Sequence, residues 1–202
     1  SGDLHASQVS LNGQSYGRFM DVVGSQIRSH PATSGVWLEA SVRSGEIDAS
    51  PGAHGLDTED QGITAGYQYA PAKGSIGVAI GFSQQETTGG HVEANTDNYG
   101  ATAYAVRQSG AYTFSAHLGW MSHDVDTARE LDLAFIPGTI STGYRATTLG
   151  ASARIARQSS GTMMGGAVFQ PELALNFATT DTEDFSEAGD PVAALKDRKS
   201  VV

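Results

Sequence analysis

Hydrophobic residues recur at every second position in seven consecutive runs, and this period constrains the chain more than any other feature it has. In the first run Val36, Leu38, Ala40 and Val42 alternate with Trp37, Glu39, Ser41 and Arg43. Ile63, Ala65, Tyr67 and Tyr69 alternate with Thr64, Gly66 and Gln68, and Ile76, Val78, Ile80 and Phe82 with Gly77, Ala79, Gly81 and Ser83. A fourth run, Tyr99 to Arg107, is rich in Ala and Tyr, and its two faces do not separate by type. The fifth sets Tyr112, Phe114, Ala116, Leu118 and Trp120 against Thr113, Ser115, His117 and Gly119. The sixth sets Leu149, Ala151, Ala153 and Ile155 against Thr148, Gly150, Ser152 and Arg154, and the seventh Phe169, Pro171, Leu173, Leu175 and Phe177 against Gln170, Glu172, Ala174 and Asn176. Successive strand side chains point to opposite faces, so each run predicts a strand apolar on one side. Seven such runs without helices between them predict an all-β, antiparallel sheet rather than βαβ units.

The connections alternate in length. Residues 70–74, 108–111 and 158–161 read as short turns, and residues 44–61, 84–97, 122–142 and 178–191 as long, acid-rich loops. That sorting fits an up-and-down transmembrane β-barrel, with short turns at one rim and long loops at the other. Aromatics end the apolar runs (Tyr67, Tyr69, Phe82, Tyr99, Tyr112, Trp120, Phe177) as membrane-interface girdles do. Small residues on the opposite face (Gly66, Gly77, Ala79, Gly81, Gly119, Gly150) leave room for something inside. The expected lumen-lining side chains are Glu39, Ser41, Arg43, Gln68, His117, Arg154, Gln170, Glu172 and Asn176. The same periodicity also suits the core of a soluble β-sandwich.

Composition agrees with either reading and excludes others. Of 202 residues, 12 are Lys or Arg and 22 Asp or Glu, and the net charge is −10, with no cluster of bases to neutralise phosphates, so nucleic acid is not an expected partner. Without Cys there is no disulfide, thiolate ligand or thiol nucleophile. No apolar run reaches the ~18–20 residues of a membrane helix. Residues 1–34 differ from the rest: Phe19, Val22 or Val23, and Ile27 have helical spacing, which predicts a helix over 14–29 capped by Asn12 or Ser15 and closed by Pro31. The chain opens Ser1-Gly2-Asp3 without a signal peptide, as the middle of a longer protein would.

No motif carries chemistry. Gly13-Gln14-Ser15-Tyr16-Gly17 matches the G-x-S-x-G pattern, but a nucleophile elbow needs an α/β sheet that does not follow. His5, His30, His54, His91, His117 and His123 are scattered, and Asp181-Thr182-Glu183-Asp184 lacks the spacing and Gly of a calcium loop. No enzyme activity, cofactor or metal is expected.

The ordered set of segments resembles the translocator domain of Gram-negative autotransporters, the type V secretion proteins. A helical stretch is followed by a Trp-led strand (Val36-Trp37-Leu38), Gly62-Ile63-Thr64-Ala65-Gly66-Tyr67-Gln68, a strand ending Ile80-Gly81-Phe82-Ser83, two Tyr-rich strands, and Phe169-Gln170-Pro171-Glu172-Leu173-Ala174-Leu175-Asn176-Phe177. The resemblance, over roughly residues 14–190, implies a twelve-strand barrel with the helix threaded through its lumen. It implies an outer-membrane location and, as partners, the lipid bilayer, a passenger upstream and the outer-membrane assembly machinery. Residues 1–34 are then linker and lumen helix, and residues 35–202 the barrel. Glu39 and Arg43 are expected to pair with a neighbouring strand or with Arg18, Asp21 or Arg28 of the helix. If the linker is cleaved inside the barrel, Asn12 and Asp21 are the nearby candidates. Seven strands, with an eighth beginning near Val192-Ala193-Ala194-Leu195, fall short of twelve, and the ending Lys196 to Val202 lacks the family's terminal aromatic. The expectation is a truncated barrel that does not insert alone as a pore, because unpaired edge groups in lipid cost several kcal/mol each. A porin-like or structural barrel without a passenger, and a soluble secreted β-sandwich binding module, are the alternatives.

Overall fold

The computed structural model describes residues 2–30, 33–47, 56–89, 92–133, 136–157 and 171–183. One helix, α1 (Gly2–Ser29), precedes seven strands: β1 (Gly35–Ile47), β2 (Leu56–Tyr69), β3 (Gly74–Gly89), β4 (Val92–Ser109), β5 (Tyr112–Leu133), β6 (Ile136–Arg157) and β7 (Glu172–Thr182). They form one sheet in the order β1-β2-β3-β4-β5-β6-β7, with every neighbour antiparallel. β1 and β7 do not pair with each other among the described residues, so the sheet is an open, partial barrel.

The alternation sorts side chains as expected. The apolar positions of the six runs with readable faces, apart from Phe169 outside the described residues, lie on the outer face, where large hydrophobics are exposed, from 42% at Trp120 to 83% at Val42. The other face packs on α1. Its core joins Tyr16, Phe19, Met20, Val23 and Ile27 of the helix to Ala79, Tyr104, Val106 and Met121 of the sheet, with Trp37 beside them. The unreadable fourth run now has its faces: Thr102, Tyr104 and Val106 point toward the helix, and Ala101, Ala103 and Ala105 away from it. A continuous apolar outer face with no second sheet over it among the described residues is the reverse of a β-sandwich, whose apolar face is its core.

Two expectations are corrected. The segments 84–97 and 122–142 are not long loops: β3 pairs with β4 out to Gly89 and Val92, and β5 with β6 out to Leu133 and Ile136. β1 and β2 likewise stay paired to Ile47 and Leu56, and β7 runs to Thr182. Beyond the apolar band both faces meet water or polar groups, so alternation vanishes while the backbone ladder continues. The short turns are as expected at 70–73 and at Gly110-Ala111, where Gly110 takes φ +60°, a left-handed conformation suited to a tight hairpin. The helix is the second correction. It starts at Gly2, so Asn12 and Ser15 lie in its interior, buried against the sheet, and cap nothing. Pro31, the turn at 158–161, Phe169, Gln170 and the eighth strand near 192–195 lie outside the described residues.

Candidate functional site

The inner face of the sheet is a cradle for α1, and its glycines are shaped to the aromatic side chains lying on them. A Cβ at Gly81 would stand 2.7 Å from the Phe19 ring, and one at Gly100 3.1 Å from it. A Cβ at Gly119 would stand 2.6 Å from Tyr16 Oη, and one at Gly150 2.7 Å from the Tyr16 ring. Gly81 and Gly100 pair across β3 and β4, and Gly119 and Gly150 across β5 and β6, so each helix ring sits on a saddle of two cross-strand glycines. Tyr16 Oη has no hydrogen-bond partner among the described residues, so shape rather than a polar bond holds that ring. Gly66 and Gly77 play the same part within the sheet, where a Cβ would collide with Trp37 and Tyr104 respectively.

Polar contacts fix the helix in register. Arg18 Nη1 donates to Asp60 Oδ2 at 2.7 Å, with Asp60 only 8% exposed. Ser15 Oγ donates to Gln85 Oε1 at 2.7 Å, and Asn12 is buried one turn earlier on the same helix. At the C-terminal end a relay crosses three strands: Trp37 Nε1 donates to Tyr104 Oη (3.3 Å), Tyr104 Oη to Gln68 Oε1 (3.1 Å), and Gln68 Nε2 to the carbonyls of His30 (2.6 Å) and Thr33 (2.9 Å). Gln68 thereby clamps the backbone that leaves the helix.

A polar belt also crosses the inner face, from β3 to β7. Asn98 Nδ2 donates to Ser83 Oγ (3.2 Å), and Asn98 Oδ1 lies 2.6 Å from His123 Nδ1. His123 Nε2 lies 2.9 Å from Thr148 Oγ1, which lies 2.9 Å from Thr180 Oγ1. An amide oxygen only accepts, so the network assigns a proton to His123 Nδ1. The belt ties five strands through side chains as well as backbone.

Of the residues expected to line a lumen, Gln68 is buried in the clamp just described. Ser41 and Arg43 border a small cleft with Arg18, Phe19 and Asp60. Glu39 shares the inner row with Thr64. His117, Arg154, Glu172 and Asn176 line a cleft of about 520 Å³ between the helix and β5–β7, and Arg154 there forms an ion pair with Glu172. Gln170 lies outside the described residues. Among the described residues the ion pair between helix and sheet is Arg18–Asp60; Asp60 had read as loop acid because it lies just past the apolar run. Ser15 of the G-x-S-x-G match sits in mid-helix. Among the described residues, no three His, Asp or Glu converge as metal ligands. The ring contacts of Phe19 and Tyr16 went unread because nothing local marks a contact made across 60 or more residues, and the belt because its links join strands 15 to 32 residues apart.

The Autotransporter beta-domain family matches residues 36–201. The fold is that of a solved structure, the translocator domain of the autotransporter NalP from Neisseria meningitidis, with a TM-score of 0.71 over 94% of this chain at 13% identity. The chain spans 65% of the length of that structure. No curated protein matches the sequence.

Proposed function

This chain belongs to the autotransporter β-domain family, and from that premise we propose that it is the outer-membrane translocator for a passenger joined ahead of α1. The observation that carries the reading is the pairing of an apolar outer face with an inner face built around a single helix. The outer band suits lipid. The inner face holds a segment whose N-terminal end is the point from which a passenger would continue. In this reading residues 1–34 are the linker and lumen helix, and residues 35–202 the membrane anchor.

The residues on the inner face hold and orient the helix. Glycine saddles admit its rings, Arg18–Asp60 and Ser15–Gln85 set its register, and Gln68 ties its exit. Glu39, Ser41, Arg43, His117, Arg154, Glu172 and Asn176 line the space around it and govern how tightly it fills the pore. The domain works as a transport module; any catalysis belongs to the passenger. Its partners are the bilayer, that passenger and the machinery that inserts outer-membrane barrels.

The test places an epitope ahead of Ser1 in the protein as expressed and treats intact cells with protease. Cleavage of the epitope from whole cells is the expected result. An epitope protected until the outer membrane is opened would instead favour a barrel without export. Recovery of a monodisperse, soluble β-protein without detergent would discard the membrane reading altogether.

A further inference from the structure

The outer face carries a feature that anchoring does not require. Most of its band is built from large side chains, but three adjacent strands present alanines side by side: Ala105 of β4 pairs with Ala116 of β5, which pairs with Ala153 of β6. Ile76 and Leu175 bound this row on either side. In the next row Ala103 and Ala151 flank Leu118. The result is an apolar furrow of about 640 Å³ opening toward lipid, within the ~300–1,000 Å³ range of ordinary ligand sites.

At its short-turn end the furrow meets positive charge. Arg107 lies across from Phe114, Arg157 across from Tyr112, and Lys73 in the turn that enters β3, across from Arg107 and Gln108. All three are exposed, and none forms a salt bridge among the described residues. The segments around them, 69–77, 103–118 and 149–157, contain no Asp or Glu. Glu172, the nearby acid on β7, belongs to the inner face and is held by Arg154. The outer rim is the opposite: past the apolar band the outward positions carry Glu59, Glu86, Asp97, Asp124 and Asp126, balanced there by Arg145. In a chain of net charge −10, cations concentrated beside a lipid-facing furrow select one kind of occupant.

We propose that this furrow and the Arg107–Arg157 pair at its mouth form a binding site for an anionic phospholipid of the leaflet at the short-turn rim. An acyl chain lies over the alanine floor, and the headgroup phosphate is held between the two guanidiniums, with Tyr112 and Phe114 between them at the interface. Guanidinium forks match phosphate oxygens two bonds at a time, and long basic side chains at a membrane rim extend toward headgroups while their stems stay in the apolar layer. Register separates the two Cα atoms by two strands, about 10 Å across the sheet, and by two residues along it, about 7 Å, a span both side chains can close upon. The inference rests on the membrane-spanning reading of the outer face.

The experiment reconstitutes the full-length protein into vesicles of phosphatidylcholine containing one part in five phosphatidylglycerol. The protein is then extracted gently and its retained lipids are counted by native mass spectrometry. Phosphatidylglycerol is expected to make up most of the retained lipid, roughly fourfold above its share of the bilayer, since each of two basic residues near anionic lipid contributes about a fivefold preference. Arg107→Gln with Arg157→Gln should bring it to its bulk share, while Arg107→Lys with Arg157→Lys keeps most of the enrichment. Ala116→Leu, which fills the furrow and leaves the charges, should lower retention severalfold. All variants should keep the β-sheet circular dichroism of the parent. Retention of phosphatidylglycerol at its bulk share by the parent, or equal enrichment in the Gln variant, would overturn the proposal while the membrane reading stands. A chain that folds in buffer and takes up no lipid would overturn both.

Discussion

On the outer face of β5, Phe114, Leu118 and Trp120 stand exposed; on the inner face of the same strand, Ser115, His117 and Gly119 look toward the helix. The two faces answer to different solvents. Outside, any apolar side chain of roughly the right size serves, because lipid conforms to it. Inside, each position must fit one particular partner, and a single methyl group matters. Outer positions should therefore respond to polarity and tolerate changes of shape, and inner positions should do the reverse.

The largest expected effect tests that contrast on adjacent residues. Leu118→Arg places a charge near the middle of the lipid-facing band and should cost ~2–4 kcal/mol, while His117→Arg, one residue away and facing inward, should cost under ~1 kcal/mol. Urea titration of the full-length protein folded in phosphatidylcholine vesicles reads both. Equal losses at the two positions would break the assignment of faces.

The next effect reverses the comparison. Gly81→Ala adds one methyl group on the inner face, 2.7 Å from the Phe19 ring, and overpacking of this kind costs ~1–3 kcal/mol. On the outer face Ala103→Val adds more volume and should cost almost nothing. The Gly81 penalty should shrink when Phe19 is also Ala, because the clash then has no second party, and this non-additivity is the signature of direct contact. Thermolysin cleavage within α1 follows helix docking in all four proteins.

The same contrast governs how much of the molecule could be read from its sequence. Alternation is visible only where the two faces meet different surroundings. The runs at 36–43, 63–69, 76–83, 112–120 and 148–155 therefore located strands and gave their faces. Past the band, Gln84 and Gln85 or Asp97 and Asn98 are polar on both sides, and hairpins running out to Gly89 and Leu133 read as loops. Gly66, Gly77, Gly81, Gly119 and Gly150 could be recognised as space on the inner face. Which ring fills each space could not, since Phe19 meets Gly81 only after the chain has turned back on itself. Asp60 was hidden for a related reason: one place beyond an alternating run, it carries the look of a solvated loop acid, and only the curl of the sheet brings it to Arg18. The helix start was illegible because Asn12 and Ser15 are good caps in isolation, and the sheet that instead buries them, with Gln85 of β3 receiving Ser15, comes later in the chain.

A third prediction asks whether the inner face also sets the worth of charges. Arg18–Asp60 is partly buried, 24% and 8% exposed, and removing one partner strands the other away from water. Asp60→Asn should cost ~1–2 kcal/mol in helix docking, between the values for exposed and fully buried pairs. The loss should change little between 50 mM and 500 mM salt, because ions do not reach the pair. Reversal to Arg18→Asp with Asp60→Arg should recover part of the docking, measured again by thermolysin.

The smallest effect belongs to the outward pair of Arg145 and Asp124, which has the same 2.6–2.7 Å geometry in a different setting. Its partners are 56% and 42% exposed, beyond the apolar band, and neither is stranded when the other is removed. Asp124→Asn should leave the urea midpoint unchanged within error, at low salt and at 500 mM, where the screening length falls to a few ångströms. The strand pairing of β5 and β6 at this level is carried by the backbone ladder and, on the other face, by His123 and Thr148, neither of which the substitution touches. A loss from Asp124→Asn as large as that from Asp60→Asn would mean that bond geometry, rather than the surroundings of each face, decides what a contact is worth here.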